Sequence, residues 1–313
     1  MRLIRLTSLA AICLIFSLSI GHTISAAPQT GVDAVPVRTV VSVEAKHGKE
    51  IPEITNKEDV RAFEGKERLR VTEWLPFQGT QASLELLVLI DESSEASVAN
   101  QFDDIRRFMN AQPPTTAIAV GYLEYGTVKM AQNFTTDREA TGKALRIPLG
   151  AFAAGNSPYL AITDAIKRWP ASKARHAIFL ISDGIDALQP GISDSYLDQA
   201  VETAERTGTQ VYSIFASREG HFGHSLWRIN QGQNNLSELA DKTGGESYFQ
   251  GQATPVSFAP FLNEFADRLG HQYLLTVLVK ADKKASYKHL KLETEIPNAE
   301  LVTADRVYVP AAK

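Results

Sequence analysis

Cysteine is almost absent from this chain of 313 residues, and its absence excludes whole classes of chemistry. The one cysteine, Cys13, lies in an N-terminal apolar stretch. If export removes that stretch, the mature chain has no disulfide, no zinc–thiolate site and no thiol nucleophile. Apolar residues make up 44% of the sequence, which is enough for a core that folds without such cross-links.

An excess of positive charge is also lacking. The net charge is −4 at pH 7, and no basic face is evident, which argues against a nucleic-acid partner. The sequence contains no Gly-x-Ser-x-Gly elbow, no phosphate-binding loop and no dinucleotide fingerprint, so these enzyme classes have no support. Past the N-terminal segment, no apolar stretch is long enough to predict a transmembrane span.

The N-terminal segment has the pattern of a secretory signal peptide. Arg2 and Arg5 precede an apolar run over residues 6–20, and small residues surround Ala26. We expect cleavage after Ala26, a loose leader over residues 27–36, and a periplasmic or extracellular protein. An uncleaved membrane anchor is the alternative.

The middle of the chain alternates between strand and helix patterns. Residues 86–90 and 177–181 are continuous apolar runs, and amphipathic helical patterns separate them from further strands. Strands that are apolar on both sides are typical of a parallel sheet covered by helices on both faces. We therefore predict a doubly wound, mostly parallel, Rossmann-like α/β domain over residues 83–270.

Both ends of the mature chain have β patterns instead. Residues 37–82 contain alternating and hairpin-like segments, and residues 271–313 contain more of them. Neither segment alone buries much apolar surface. We predict that the two segments pair into one β module beside the α/β domain.

An aspartate follows each of two predicted core strands. Asp91 ends the first apolar run, and Asp183 follows the second. In open α/β sheets, ligands bind beyond the carboxyl ends of the strands. Two carboxylates in one crevice repel each other, so a cation is a natural occupant. The hydroxyls of Ser93 and Ser157 would add the oxygen donors that Mg²⁺ prefers.

These residues resemble the metal-ion-dependent adhesion site of von Willebrand factor A-type domains. That motif is Asp-x-Ser-x-Ser, a distant Thr, and an Asp often followed by Gly. The matching segments here are Asp91-Glu92-Ser93-Ser94-Glu95, Ser157 and Asp183-Gly184, with Thr243-Gly244-Gly245 as a further match. The resemblance covers residues 83–270, and the flanking β segments resemble those of exported bacterial proteins related to this family.

The resemblance implies a non-enzymatic protein-binding or adhesion module with a bound Mg²⁺, or with Mn²⁺ or Ca²⁺ in its place. An acidic residue of a partner protein would complete the metal shell, and a shift of the last helix (residues 257–270) could change affinity. The implied metal ligands are Asp91, Ser93, Glu95, Ser157 and Asp183. Glu95 departs from the motif, which has Ser there, and could either ligate the cation or fill the partner's position.

Other interpretations of these residues stay open. A metal-assisted hydrolase could use Glu92 or Glu95 as its base. A metal-free scaffold of the same fold could bind a partner directly, or the two aspartates could only order loops. Trp227 could anchor an interface or pack on the sheet, and His221 and His224 have only superficially metal-like spacing.

Overall fold

A computed structural model describes residues 34–150, 155–189, 194–218 and 225–312. The predicted signal peptide and most of the leader lie outside these ranges, as do His221 and His224. In the ranges described, no helix combines the length and the apolar character that crossing a membrane requires.

The strands and helices within these ranges follow one another along the chain in a fixed order. They are β1 (Ala34–Ala45), β2 (Val60–Glu64), β3 (Glu67–Pro76), β4 (Leu84–Asp91), α1 (Phe102–Ala111), β5 (Thr116–Glu124), β6 (Thr127–Thr135), α2 (Arg138–Lys143), α3 (Pro158–Lys167), β7 (Arg175–Ser182), α4 (Ser195–Thr207), β8 (Gln210–Phe215), α5 (Leu226–Thr243), β9 (Ser247–Tyr248), α6 (Ala259–Gly270), β10 (Gln272–Lys280), β11 (Ser286–His289), β12 (Lys291–Thr294), β13 (Ala299–Thr303) and β14 (Arg306–Val309).

Residues 84–270 form what we call the α/β unit. Its six-stranded sheet has the order β6-β5-β4-β7-β8-β9, and only the β5–β6 pairing is antiparallel. Successive residues of a strand face opposite sides of the sheet. In β4, Leu86 and Val88 accordingly pack with α1 and α6, whereas Leu87 and Leu89 pack with α3, α4 and α5. The continuous apolar run thus fills a core on each face of the sheet.

Residues 34–76 and 272–309 form the β unit. Its six-stranded sheet has the order β12-β2-β3-β10-β1-β13, and every pairing in it is antiparallel. Strands β11 and β14 form a separate two-stranded ribbon. Strands from both ends of the described chain share one apolar core, which includes Val41, Trp74 and Leu275.

The two units are joined at two chain connections. Strand β3 leads into β4, and α6 leads through His271 into β10, which lies between β3 and β1. Arg268 of α6 adds ion pairs to Glu44 of β1 and to Glu246, which precedes β9. The position of α6 is therefore coupled to the β unit by covalent and ionic contacts.

Candidate functional site at the carboxyl edge of the parallel sheet

Asp91 and Asp183 lie at the same edge of the sheet. Asp91 is the last residue of β4, and Asp183 directly follows β7, which pairs with β4 in parallel up to Ile90 and Ile181. Parallel strands end at a common edge, so both carboxylates are buried there. We call this side of the α/β unit the carboxyl edge.

The Asp91 carboxylate is held by uncharged donors. Its Oδ1 accepts hydrogen bonds from the backbone N–H of Ser93 at 2.9 Å, from Ser93 Oγ at 2.6 Å and from Asn156 Nδ2 at 2.6 Å. Its Oδ2 accepts one from Ser182 Oγ at 2.7 Å. This donor set solvates the buried carboxylate and fixes the first turn of the loop after β4.

The Asp183 carboxylate is instead paired with a buried arginine. Arg218 Nε lies 2.7 Å from Asp183 Oδ2, and Arg218 Nη2 lies 3.1 Å from Oδ1. Arg218 Nη2 also donates to the backbone carbonyl of Ile185 at 2.7 Å, and the backbone N–H of Ile185 donates to Asp183 Oδ1 at 3.0 Å. The two side chains are 0% and 1% exposed, so water does not screen this fork-like contact.

The local backbone explains how Arg218 reaches Asp183. Arg218 follows the carboxyl end of β8, the neighbour of β7, and it forms a backbone bridge with Ser94 in the loop after β4. On the other side, α5 packs directly on the loop after β7. A Cβ at Gly232 would lie 2.1 Å from the Asp183 carbonyl oxygen, so only glycine permits this approach.

Burial and pairing act in opposite directions on these two groups. Burial raises the pKa of the Asp183 carboxyl, and the Arg218 guanidinium opposes that rise. Burial disfavours the charged guanidinium, but the carboxylates of Asp183 and Asp91 outweigh that effect and raise the pKa of Arg218. Arg218 is therefore a positive charge that is bonded to Asp183 and also attracted electrostatically by Asp91.

Ser157 lies near the aspartates but has a structural partner. It caps α3, where its Oγ accepts from the backbone N–H of Leu160 at 3.3 Å and donates to Asp186 Oδ2. Asp186 Oδ1 in turn accepts from the backbone N–H groups of Leu188 and Gln189, at 2.7 and 3.0 Å. This hydroxyl thus connects α3 to the loop after β7.

The two glutamates after β4 differ in environment. Glu92 is buried, is ion-paired with Arg146, and accepts a hydrogen bond from the backbone N–H of Leu149 at 2.8 Å. Glu95 is half-buried, and its carboxylate accepts from Ser97 Oγ at 3.2 Å. Glu92 therefore orders the loop before α3, and its carboxylate is already engaged as an ion-pair partner.

The oxygen donors at this edge suit a divalent cation in type, but their arrangement does not fit one. Both oxygens of Asp183 are hydrogen-bonded to Arg218, whose guanidinium would repel a second cation at close range. Within the described ranges, no group of three or more His, Cys, Asp or Glu side chains could hold a metal ion. The magnesium prediction stays a prediction, without support from this geometry, for the ligand set Asp91, Ser93, Glu95, Ser157 and Asp183.

Large apolar side chains are exposed around the same edge. They lie on loops that follow β5, β7 and β9, on the segment between α2 and α3, and at or before the first turns of α5 and α6. These residues, which we call the apolar rim, are Tyr125, Ile147, Leu149, Leu188, Leu226, Trp227, Phe249 and Val256, with exposures from 42% to 91%. Over the rest of the described chain, the exposed large apolar side chains are Leu75 and Met130. Trp227 therefore lies at the surface rather than packed on the sheet.

Three of the residues that shape this site are not among those predicted from the sequence. Asn156 donates to Asp91, Asp186 accepts from Ser157, and Arg218 pairs with Asp183. Arg218 could have been proposed from the sequence, because it comes three residues after the apolar strand β8, which pairs with β7 in parallel. Residues at that position of a parallel strand reach the same edge as the two aspartates.

No family model matches the sequence, and no curated protein matches it. Among solved structures, an aerotolerance-related membrane protein from Bacteroides fragilis is 14% identical, with a TM-score of 0.44, over 60% of this chain and 98% of that one. A von Willebrand factor type A protein from Catenulispora acidiphila is 10% identical, with a TM-score of 0.41, over 91% of this chain and 76% of that one.

A further solved structure is the ArnB paralog VWA2 from Sulfolobus acidocaldarius. It is 11% identical, with a TM-score of 0.39, over 88% of this chain and 76% of that one. All three TM-scores lie below 0.5, so the resemblance of this chain to von Willebrand factor A-type domains rests on the motif residues of its own sequence.

Proposed function

We propose that this chain is an exported, von Willebrand factor A-type interaction module that binds a protein partner at the carboxyl edge. The apolar rim is the observation that carries the proposal. Isolated exposed apolar residues are ordinary, but a set concentrated on one edge, over a buried charged centre, is typical of an interaction surface.

The composition of the rim favours a protein as the partner. Trp227 and Tyr125 are 54% and 59% exposed, and such aromatic side chains contribute strongly to protein interfaces when a partner covers them. The export expected from the N-terminal segment would place this surface in the cell envelope or outside the cell.

A hydrolytic function has less support. Of the two candidate bases, Glu92 is buried in its pair with Arg146. Glu95 is half-buried, but the cation that this hypothesis places beside it would have to share Asp183 with Arg218. A general base needs a carboxylate that can reach a substrate proton, directly or through water. We therefore propose a non-enzymatic role.

Photo-crosslinking in the native cell tests the proposed surface. A photoreactive phenylalanine analogue replaces Trp227 or Leu149 in the full chain, and the matched control replaces Met130, which is exposed on β6. We expect one partner protein to crosslink at both rim positions and not at Met130.

A binding measurement with the crosslinked partner then tests the energetics. The triple variant Ile147→Ser/Leu149→Ser/Trp227→Ser should bind it at least about tenfold more weakly, whereas Met130→Ser should bind like the wild type. Unchanged affinity in a triple variant that keeps the wild-type circular dichroism spectrum would contradict the proposal.

A further inference from the structure

Arg218 contributes a buried positive charge to one of the two aspartates of the adhesion-site motif. Its guanidinium contacts the second aspartate of the motif through two N–H groups, and its backbone is bridged to Ser94, inside the segment that carries the first aspartate. The side chain is 0% exposed, which is rare for arginine without an anionic partner. The positive charge of Arg218 is therefore a fixed, buried component of the site.

The charge balance at the site explains why a cation is needed. Asp91 is satisfied by uncharged donors, but these donors do not neutralise it. Asp183 is buried beside it and adds a second negative charge. A positive charge next to Asp183 offsets their repulsion, which water does not screen because both carboxylates are buried.

We infer that Arg218 is a built-in substitute for a divalent cation, so that the carboxyl edge works without metal and is closed to a partner's carboxylate. Two nitrogens of the guanidinium are in use, because Nε and Nη2 donate to Asp183 and Nη2 also donates to the carbonyl of Ile185. An acidic side chain from outside would have to displace these buried contacts. Removal of the guanidinium should convert the site into one that takes a cation.

The first measurement titrates Mn²⁺ into the full mature chain and follows free Mn²⁺ by electron paramagnetic resonance. We expect no saturable binding and no change in melting temperature with Mg²⁺ or with a chelator. Saturable Mn²⁺ binding that the Asp183→Asn variant abolishes would overturn the inference.

The second measurement removes the built-in charge. The Arg218→Ala variant leaves two buried carboxylates without a cation, so its melting temperature should fall by about 10 °C. Mn²⁺, or guanidinium well below denaturing concentration, should restore part of that loss at matched ionic strength. Recovery with either ion supports the inference, and recovery with neither overturns it.

If the Arg218→Ala variant does not fold alone, the same two ions are present during refolding and the same two outcomes apply. Arg306→Ala is the matched control, because Arg306 forms the same two-point contact with the buried Glu205 at 3.1 and 2.6 Å, away from the carboxyl edge. Its loss of stability should not respond to Mn²⁺. An equal response of both variants would show a general ion effect and overturn the inference.

The inference can fail independently of the proposed function. It concerns the charge beneath the rim, and the binding proposal concerns the apolar side chains above it. Metal binding by the wild type with an intact crosslink at Trp227 would overturn only the inference. Loss of the crosslink with no metal binding would overturn only the binding proposal.

Discussion

The two six-stranded sheets of this protein differ in where they bury charge. The sheet of the α/β unit ends in a buried group that includes Asp91, Glu92, Asp183 and Arg218. Within the described part of the β unit, the buried polar side chains are uncharged, namely Thr39, Ser42, Gln272 and Thr276. The β unit is therefore stabilised mainly by packing, whereas the carboxyl edge also depends on ion pairing. Buried ion pairs add little net stability, so their concentration at one edge indicates a role other than stabilising the fold.

The largest expected effect on stability comes from removing one partner of the buried Arg218–Asp183 pair. Arg218→Met leaves Asp183 buried without its partner, and the free energy of unfolding should fall by about 3–5 kcal/mol. The double variant Arg218→Met/Asp183→Asn should regain most of that loss because no unpaired charge remains. Urea unfolding of the two single variants and the double variant measures this coupling. If the losses of unfolding free energy in the two single variants simply add in the double variant, the two residues act separately. The carboxyl edge would then not depend on ion pairing more than the β unit does.

A smaller effect is expected from a cavity in the β unit. Leu275 is 0% exposed in β10, and Leu275→Ala should lower the free energy of unfolding by about 3 kcal/mol through lost packing. The matched control is Leu75→Ala in β3, where the side chain is 45% exposed and the change should be about 0.5 kcal/mol or less. Urea unfolding at low and high salt is the measurement. A marked salt dependence of the Leu275→Ala effect would mean that charge also matters in this sheet.

The smallest effect depends on pH. Asp194 caps α4 through hydrogen bonds of its Oδ1 to the N–H groups of Tyr196 and Leu197. Burial raises the pKa of Asp194 to about 6, above its value in the unfolded chain. Folding therefore favours the protonated form, and this residue's contribution to stability is present at low pH and is lost as the pH rises through about 6.

The Asp194→Asn variant tests that sign. Asparagine keeps a capping oxygen and carries no charge, so the variant should be more stable than the wild type by about 2 kcal/mol at pH 8, with the gain vanishing near pH 4. Thermal unfolding of both proteins across this pH range measures the difference. A gain that is constant with pH would contradict the assignment.

The sequence predicts the central strands well, because strands buried on both faces appear in the sequence as continuous apolar runs. The apolar runs of residues 86–90 and 177–181 lie in β4 and β7, and these strands are neighbours. The same reasoning brings Asp91 and Asp183 to one edge, because parallel strands that start together end together. In both cases, burial on two faces of a sheet restricts the residue types strongly enough to be recognised.

The partner of Asp183 could not be assigned in the same way. The sequence has 32 lysines and arginines, and Arg218, which pairs with Asp183, comes from the loop after a third strand. Its entry depends on a bridge to Ser94 and on the close approach of α5 at Gly232, which are long-range contacts. Charge repulsion between the aspartates predicts a positive group between them, but it does not distinguish a metal ion from a guanidinium.

The place where the chain leaves and re-enters the β unit determines the order in which the protein can assemble. Leu75 of β3 pairs with Leu274 of β10, so the whole α/β unit is inserted between two adjacent strands. Closing so long a loop before its interior is ordered is entropically unfavourable and slow. The α/β unit should therefore fold early and bring its two chain ends together. The sheet of the β unit should be completed last, when β3 and β10 can pair.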